Sequence, residues 1–375
     1  MMDLSTLPTP RAFIDRSRLQ HNIATMQALA SRAGVRLRPH AKTHKSPIIA
    51  KMQMDAGAVG VCCAKLGEAE VLADAGIREI RLPYPINPAN AARVVALLDR
   101  GVRLSIIVDN ADVAADWSAA MVAAKRKLDV LVKVDVGFHR CGVNPDSATV
   151  IDDIRGISES TGLRFLGLLS HAGQGYGAES QEELEAIAHR EAEILGSIAA
   201  RLRETGVEVA EISVGATPTA RFITRQHGVT EMRPGNYVFF DRTQVGLGAA
   251  TVNDCALWIV ATIVSRPAAT RVVFDAGSKT LTNDGVRGFG THVGHGLVCR
   301  DLSATIPDAS IVIERLSEEH AVARVPADCT LRIGDRVRIL PNHSCVVSNL
   351  MEELLVVEGT TVVDTLPVAA RGRIW

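Results

Sequence analysis

Three stretches of this chain carry side chains whose types and spacing suit chemistry. In the first, Arg36, Arg38, His40, Lys42, His44 and Lys45 crowd around Arg38-Pro39-His40-Ala41-Lys42. A lysine among other cations is a setting for Schiff-base chemistry with a carbonyl compound. On spacing alone, a basic loop that binds an anion without covalent chemistry would look the same. The second stretch is a pair of glycine segments, Ser213-Val214-Gly215-Ala216-Thr217-Pro218-Thr219 and Arg233-Pro234-Gly235-Asn236-Tyr237. Backbone N–H groups and hydroxyls at such turns hold phosphate. The third is Pro341-Asn342-His343-Ser344-Cys345. Alternate residues of an extended chain share a face, so His343 and Cys345 suit a divalent ion with positions left open for a substrate hydroxyl. The bland alternative is a satisfied histidine beside a buried cysteine.

Weaker candidates are His171 with Tyr176, then His292 and His295 in the glycine-rich 288–296 segment, and Glu319 with His320. Loop histidines and an ordinary solvated turn would account equally well for the last two pairs.

These residues need elements to position them. Short β-branched runs recur through the first 250 residues: Val35–His40, Ala58–Cys63, Glu79–Tyr84, Arg103–Asp109, Asp129–Val136, Phe165–His171, Val209–Gly215 and Thr230–Pro234. Alanine-rich segments with helical apolar spacing lie between them, among them Arg18–Ala33, Ala111–Lys125 and Gln181–Thr205. Eight such units predict a (β/α)8 TIM barrel, whose active site lies at the C-terminal strand ends. A doubly wound sheet is the competitor, but no glycine-rich dinucleotide loop follows the first strand. In a closed barrel, strand one neighbours strand eight. Lys42 then lies beside the glycine loops after strands seven and eight, where barrels commonly bind phosphate. A phosphorylated aldehyde cofactor fits that adjacency, and a phosphorylated sugar is the alternative.

After residue 250 the texture changes to strand-like runs separated by Gly, Pro and Asp turns, such as Leu257–Val264, Arg336–Leu340 and Glu353–Val357. They predict a smaller mainly-β domain. The expected division is 12–250 for the barrel and 251–375 for the β-domain, which residues 1–11 could join.

Composition narrows the class. The chain has 375 residues, 47% hydrophobic and 22% charged, as a folded globular protein does. A net charge of -1 without a basic run gives no reason to expect nucleic acid or an anionic membrane as partner. No apolar run approaches a membrane span and the N-terminus lacks signal-peptide features, so a cytoplasmic protein is expected. Seven scattered cysteines without CxxC spacing argue against disulfides and a closed zinc site.

These motifs together resemble the alanine-racemase-like pyridoxal-phosphate enzymes, in the branch holding D-threonine aldolase and eukaryotic-type D-serine dehydratase. The resemblance spans nearly the whole chain. It rests on Arg38 through Lys45, Asp135 through Val143, Ser213 through Thr219, Arg233 through Asp241, Asp275-Ala276-Gly277, Glu319-His320 and Pro341 through Cys345. It implies that Lys42 carries pyridoxal 5'-phosphate and that His40, Arg140, Tyr176, Gly215, Thr217, Gly235 and Asn236 contact it. It also implies that His343 and Cys345 hold a divalent metal, zinc or manganese, with Lys42 and His343 as catalytic residues. The implied enzyme is a homodimeric lyase of D-3-hydroxy amino acids. Retro-aldol cleavage of D-threonine-like substrates to glycine and an aldehyde is favoured by Gly60 through Cys63, Asp275 through Lys279 and Ala369 through Gly372. Dehydration of D-serine or D-3-hydroxyaspartate to a 2-oxo acid and ammonia is favoured by His343-Ser344-Cys345 and Pro234 through Asp241. A racemase fits less well because it needs no metal pair, and a non-catalytic cofactor carrier because it needs no β-domain.

Overall fold

The computed structural model describes every residue except Met1 and His227. All eight expected strands form one parallel sheet: Arg36–Leu37, Val61–Cys62, Glu79–Pro85, Arg103–Val108, Leu128–Lys133, Leu163–Leu169, Glu211–Val214 and Glu231–Met232. The sheet closes on itself. Strand eight pairs with strand one, and a parallel bridge from His40 to Cys62 joins strand one to strand two. Helices Arg16–Ala33, Leu66–Asp74, Ala111–Ala123 and Gln181–Glu204 lie close to where apolar spacing predicts them, while Pro47–Asp55 and Val150–Ser158 fill two further return paths. Asp15 caps the first helix by accepting from the Arg18 N–H at 3.0 Å, and Gly34 ends it at φ 68°.

Three barrel strands are shorter than the β-branched runs that announced them. Strands one, two and eight each keep two paired residues. Beyond them pairing continues as single hydrogen bonds, from Arg38 and His40 N–H to the Met232 and Pro234 carbonyls at 3.0 Å each and from Cys63 N–H to the Arg81 carbonyl at 2.8 Å.

The barrel interior near these short strands is ionic, whereas barrels are usually filled with branched apolar side chains. Glu231 is fully buried and pairs with Arg38 at 2.8 Å and with Arg81. Arg81 also meets Glu211 at 2.6 Å and donates to Ser105 Oγ at 2.9 Å. Burial alone would raise the Glu231 carboxyl, but Arg81 and Arg38 hold it down, to about 2. Glu231→Gln is therefore expected to lower stability by about 3 kcal/mol at pH 7, because it leaves the buried Arg38 guanidinium without its carboxylate and Arg81 with Glu211 alone. The carboxylate's contribution is complete above its unfolded value of 4.5 and is lost as pH falls toward 2. Denaturant melts of parent and variant should differ at pH 7 and converge at low pH; equal midpoints at pH 7 would refute this.

The second unit is a ten-stranded, mainly antiparallel sheet built around the long strand Leu257–Ala268. That strand pairs with Arg11–Asp15 and Arg336–Leu340 through its first half, and with Arg271–Phe274 through its second. Arg11–Asp15 also pairs in parallel with Glu353–Glu358, and Met2–Asp3 pairs with Thr361–Pro367. The N-terminal segment, whose place the sequence leaves open, thus lies in this sheet.

Candidate active site

The C-terminal ends of the barrel strands open into a cavity of about 810 Å³, within the range of cofactor sites. Lys42, His40, Arg140, Tyr176, Gly215, Thr217, Gly235, Asn236, His343 and Cys345 all line it. Lys42 sits on the short 3-10 turn Ala41–Thr43, with its side chain open to the cavity. The turn is capped by His40, whose Nδ1 accepts from the Lys42 backbone N–H at 3.3 Å. Burial, with Lys42, Arg233 and His171 nearby, keeps His40 well below the usual histidine range, so the ring is neutral and able to accept. A Cβ at Gly235 would lie 2.9 Å from the His40 carbonyl oxygen. Only glycine lets the strand-eight loop press this closely on the turn that carries Lys42.

The expected phosphate cradle is a concave backbone surface beside that turn. Gly215 adopts φ 119°, a conformation that favours glycine, and its N–H points to Glu191 at 3.3 Å. Thr217 Oγ1 accepts from the Gly235 N–H at 3.3 Å, tying the two loops together. Among the described residues, the backbone N–H groups of Thr217 and Asn236 donate to no protein acceptor, which leaves them free for an anion. His171 donates from Nδ1 to the Gly215 carbonyl at 3.1 Å, since a carbonyl can only accept.

Arg140 rides on the loop after strand five. Asp135 Oδ1 accepts from the Gly137 and His139 N–H groups, each at 3.0 Å, and Asp109 accepts from Gly142 at 2.8 Å. These bonds fold the loop so that the Arg140 guanidinium lies 5.1 Å over the Phe138 ring at the cavity wall.

His343 and Cys345 meet by a different geometry from the one sequence suggests. Strand Arg336–Leu340 has already ended, His343 occupies the N-cap of helix Ser344–Leu350, and Cys345 lies in its first turn. The same-face argument for alternate strand residues therefore does not apply; a strand-to-helix turn brings the two side chains together. Asp241 anchors that turn, accepting from the Ser344 N–H at 2.9 Å and from Asn236 Nδ2 at 2.6 Å. Asn236 also reaches Cys345 Sγ at 3.4 Å, so its side chain serves the His–Cys turn and only its backbone faces the cradle. Burial opposes protonation of His343, but Cys345, Asp241 and Asp284 hold its imidazolium up, to about 10. Despite burial, His343 holds the Cys345 thiol below its ordinary value. A proton shared in this way is the one given up when such a pair binds a divalent ion. Among the described residues no group of three or more His, Cys, Asp or Glu side chains is arranged for a metal.

Sequence reasoning passes over several residues here. Lys133 is buried, faces the cavity, and is pushed down to about 7 by burial with Arg233 nearby. A lone lysine inside the apolar run Val130–Val134 is its available signal. Glu191, buried on helix Gln181–Glu204, accepts from Ser170 Oγ at 2.6 Å, and nothing local marks it. Asp284 hydrogen-bonds His343 from 59 residues away. Of the weaker candidates, His171 and Tyr176 line the cavity, His292 and His295 do not, and Glu319 pairs with Lys279 on the surface beside exposed His320.

Comparison with known proteins agrees with this layout. Residues 14–243 match the alanine racemase N-terminal domain, and residues 256–357 match the putative serine dehydratase domain. D-threo-3-hydroxyaspartate dehydratase of Delftia sp. is 36% identical over 91% of this chain and 92% of its own. D-threonine aldolase of Arthrobacter is 34% identical over 98% and 94%. The solved Delftia dehydratase superposes with a TM-score of 0.92 at 34% identity, covering 98% of this chain and 99% of that one. It has also been solved as a histidine-to-alanine variant and as a metal-free variant with a cysteine two positions later changed to alanine. The chain therefore belongs to the alanine racemase N-terminal domain family, in the group that carries the putative serine dehydratase domain as its second half.

Proposed function

We propose that this cavity is the active site of a pyridoxal-phosphate- and divalent-metal-dependent lyase of D-3-hydroxy amino acids, cleaving D-threonine-like substrates to glycine and an aldehyde. The observation that carries the reading is the meeting, in one cavity, of an open lysine, an anion cradle and a His–Cys pair. The residues present fit both groups. Free N–H groups at Thr217 and Asn236 suit a phosphate, and the imidazole and thiol of His343 and Cys345 suit a divalent ion with open positions. The thiol favours zinc over manganese. Bound there, the cofactor would supply an electron sink and the ion Lewis acidity at a β-hydroxyl.

The remaining work belongs to the chain's own side chains. Lys42 Nζ would hold the cofactor covalently and, once released, exchange a proton with the substrate. Arg140 and Tyr176 would border the cofactor. His343 would present its ring to the ion and so orient the substrate hydroxyl. On this reading the barrel supplies lysine and cradle, and the β-domain, which includes the strand Arg11–Asp15, supplies the metal pair. The resemblance to the aldolase and dehydratase branch supports a homodimer. Among the described residues, no helix is long and apolar enough to cross a membrane.

Dehydration to a 2-oxo acid and ammonia is the second reading, and one observation favours it. The residue two after His343 is a cysteine, the same His-x-Cys spacing at which the Delftia dehydratase has been solved as a histidine variant and, in a metal-free form, as a cysteine variant. Product analysis separates the two. With Zn²⁺ or Mn²⁺ present, acetaldehyde and glycine from D-threonine mark the aldolase, and pyruvate and ammonia from D-serine mark the dehydratase. Turnover of neither substrate with either ion would sink the proposal.

A further inference from the structure

We propose that Asp284 is a positioning residue that orients His343 for metal binding; this rests on the reading of His343 and Cys345 as the metal pair. Asp284 Oδ2 lies 2.6 Å from His343 Nδ1. A carboxylate only accepts, so Nδ1 carries the hydrogen and aims it at Asp284. In the neutral ring, Nε2 is then the nitrogen with a free lone pair. Histidines that bind metals commonly donate their other N–H to a carboxylate, which holds the tautomer and the ring plane.

The placement of Asp284 is built into the fold. Thr282, at φ 64°, turns the chain, and its Oγ1 accepts from the Asp284 N–H at 2.9 Å. The Asp284 carbonyl accepts from Asn342 Nδ2 at 3.1 Å. Backbone and side chain of one residue thus grip the consecutive residues Asn342 and His343. Arg242, next to the buried anchor Asp241, secures the far end of the loop. It donates to the Val293 carbonyl at 2.7 Å and to Asn342 Oδ1 at 3.3 Å. A carboxylate that only happened to lie near His343 would need neither attachment.

The test compares Asp284→Ala, Asp284→Asn and His343→Ala in the cofactor-loaded protein, with Zn²⁺ affinity read by competition against a chromophoric chelator. Asp284→Ala should weaken Zn²⁺ about 10–100-fold. It should leave the cofactor absorbance and the metal-free melting temperature as in the parent. Asp284→Asn keeps an oxygen to accept from Nδ1–H and should recover most of the affinity. Parent-like Zn²⁺ binding in Asp284→Ala, with binding lost in His343→Ala, would overturn the role of Asp284 and leave the metal pair standing. An Asp284→Asn variant as weak as Asp284→Ala would overturn it too, since the accepting oxygen would then not be what matters. Parent-like binding in His343→Ala would overturn the metal pair itself, and this inference with it.

Discussion

Lys42→Ala is expected to give a folded protein that releases pyridoxal phosphate on dialysis and turns over at least about 10⁴-fold more slowly. Four lysines line the cavity; Lys45 pairs with Glu68 and Lys65 lies over the Tyr84 ring, and the remaining two, Lys42 and Lys133, differ in setting. Lys42 stands open to the cavity on a turn whose cap bond runs from its backbone N–H to His40. Its side chain can therefore be removed without undoing the turn. Lys133 is buried at the end of strand five, in the company of Arg233 and Glu191. If Lys42 is the attachment point, Lys42→Ala loses the cofactor's near-visible absorbance after dialysis while its melting curve stays close to that of the parent. A band that survives dialysis in Lys42→Ala would move the assignment elsewhere, with Lys133 as the next candidate.

Removing the metal should lower turnover about 10³-fold or more without releasing the cofactor. A divalent ion contributes several kcal/mol at a developing oxygen charge, and about 4 kcal/mol corresponds to three orders of magnitude. Chelation should reproduce the effect of His343→Ala, and Zn²⁺ should restore the chelated parent but not the variant. Cofactor absorbance should be unchanged in both, because Lys42 and the glycine loops belong to the barrel and His343 caps a helix of the second unit. Full activity after exhaustive chelation would leave the His–Cys turn without a catalytic role and would reopen the racemase reading.

Much of the architecture is legible in the order of residues alone. Strands such as Arg103–Val108 and Leu128–Lys133 are announced by apolar β-branched runs, because strands buried on both faces are mostly apolar along their length, whereas the runs of strands one and eight carry the charged Arg38 and Glu231. Long helices such as Gln181–Glu204 show themselves by apolar spacing, and the structure adds the Ser180 cap. Less legible are the places where a residue is selected by a distant partner. Arg81 and Glu231 lie 150 residues apart, and each sits in an ordinary-looking strand run. Arg11–Asp15 is five residues long, and only its pairings with Leu257–Val260 and Leu355–Val357 assign it to the second sheet.

The barrel, the change to a β-domain, and the three motifs that hold the expected lysine, phosphate cradle and metal pair all follow from sequence. These are local signals: periodicity, glycine at turns, and ligand types within a few residues of one another. How the motifs share one cavity, and how each is held, depends on the folded chain. Folding places Asn236 on the His–Cys turn, sets Cys345 on a helix instead of a strand, and brings Asp284 to His343 and Lys133 to the cavity wall. The physical reason is that hydrogen bonds and ion pairs act over about 3 Å, a distance the folded chain closes between residues that sequence keeps far apart.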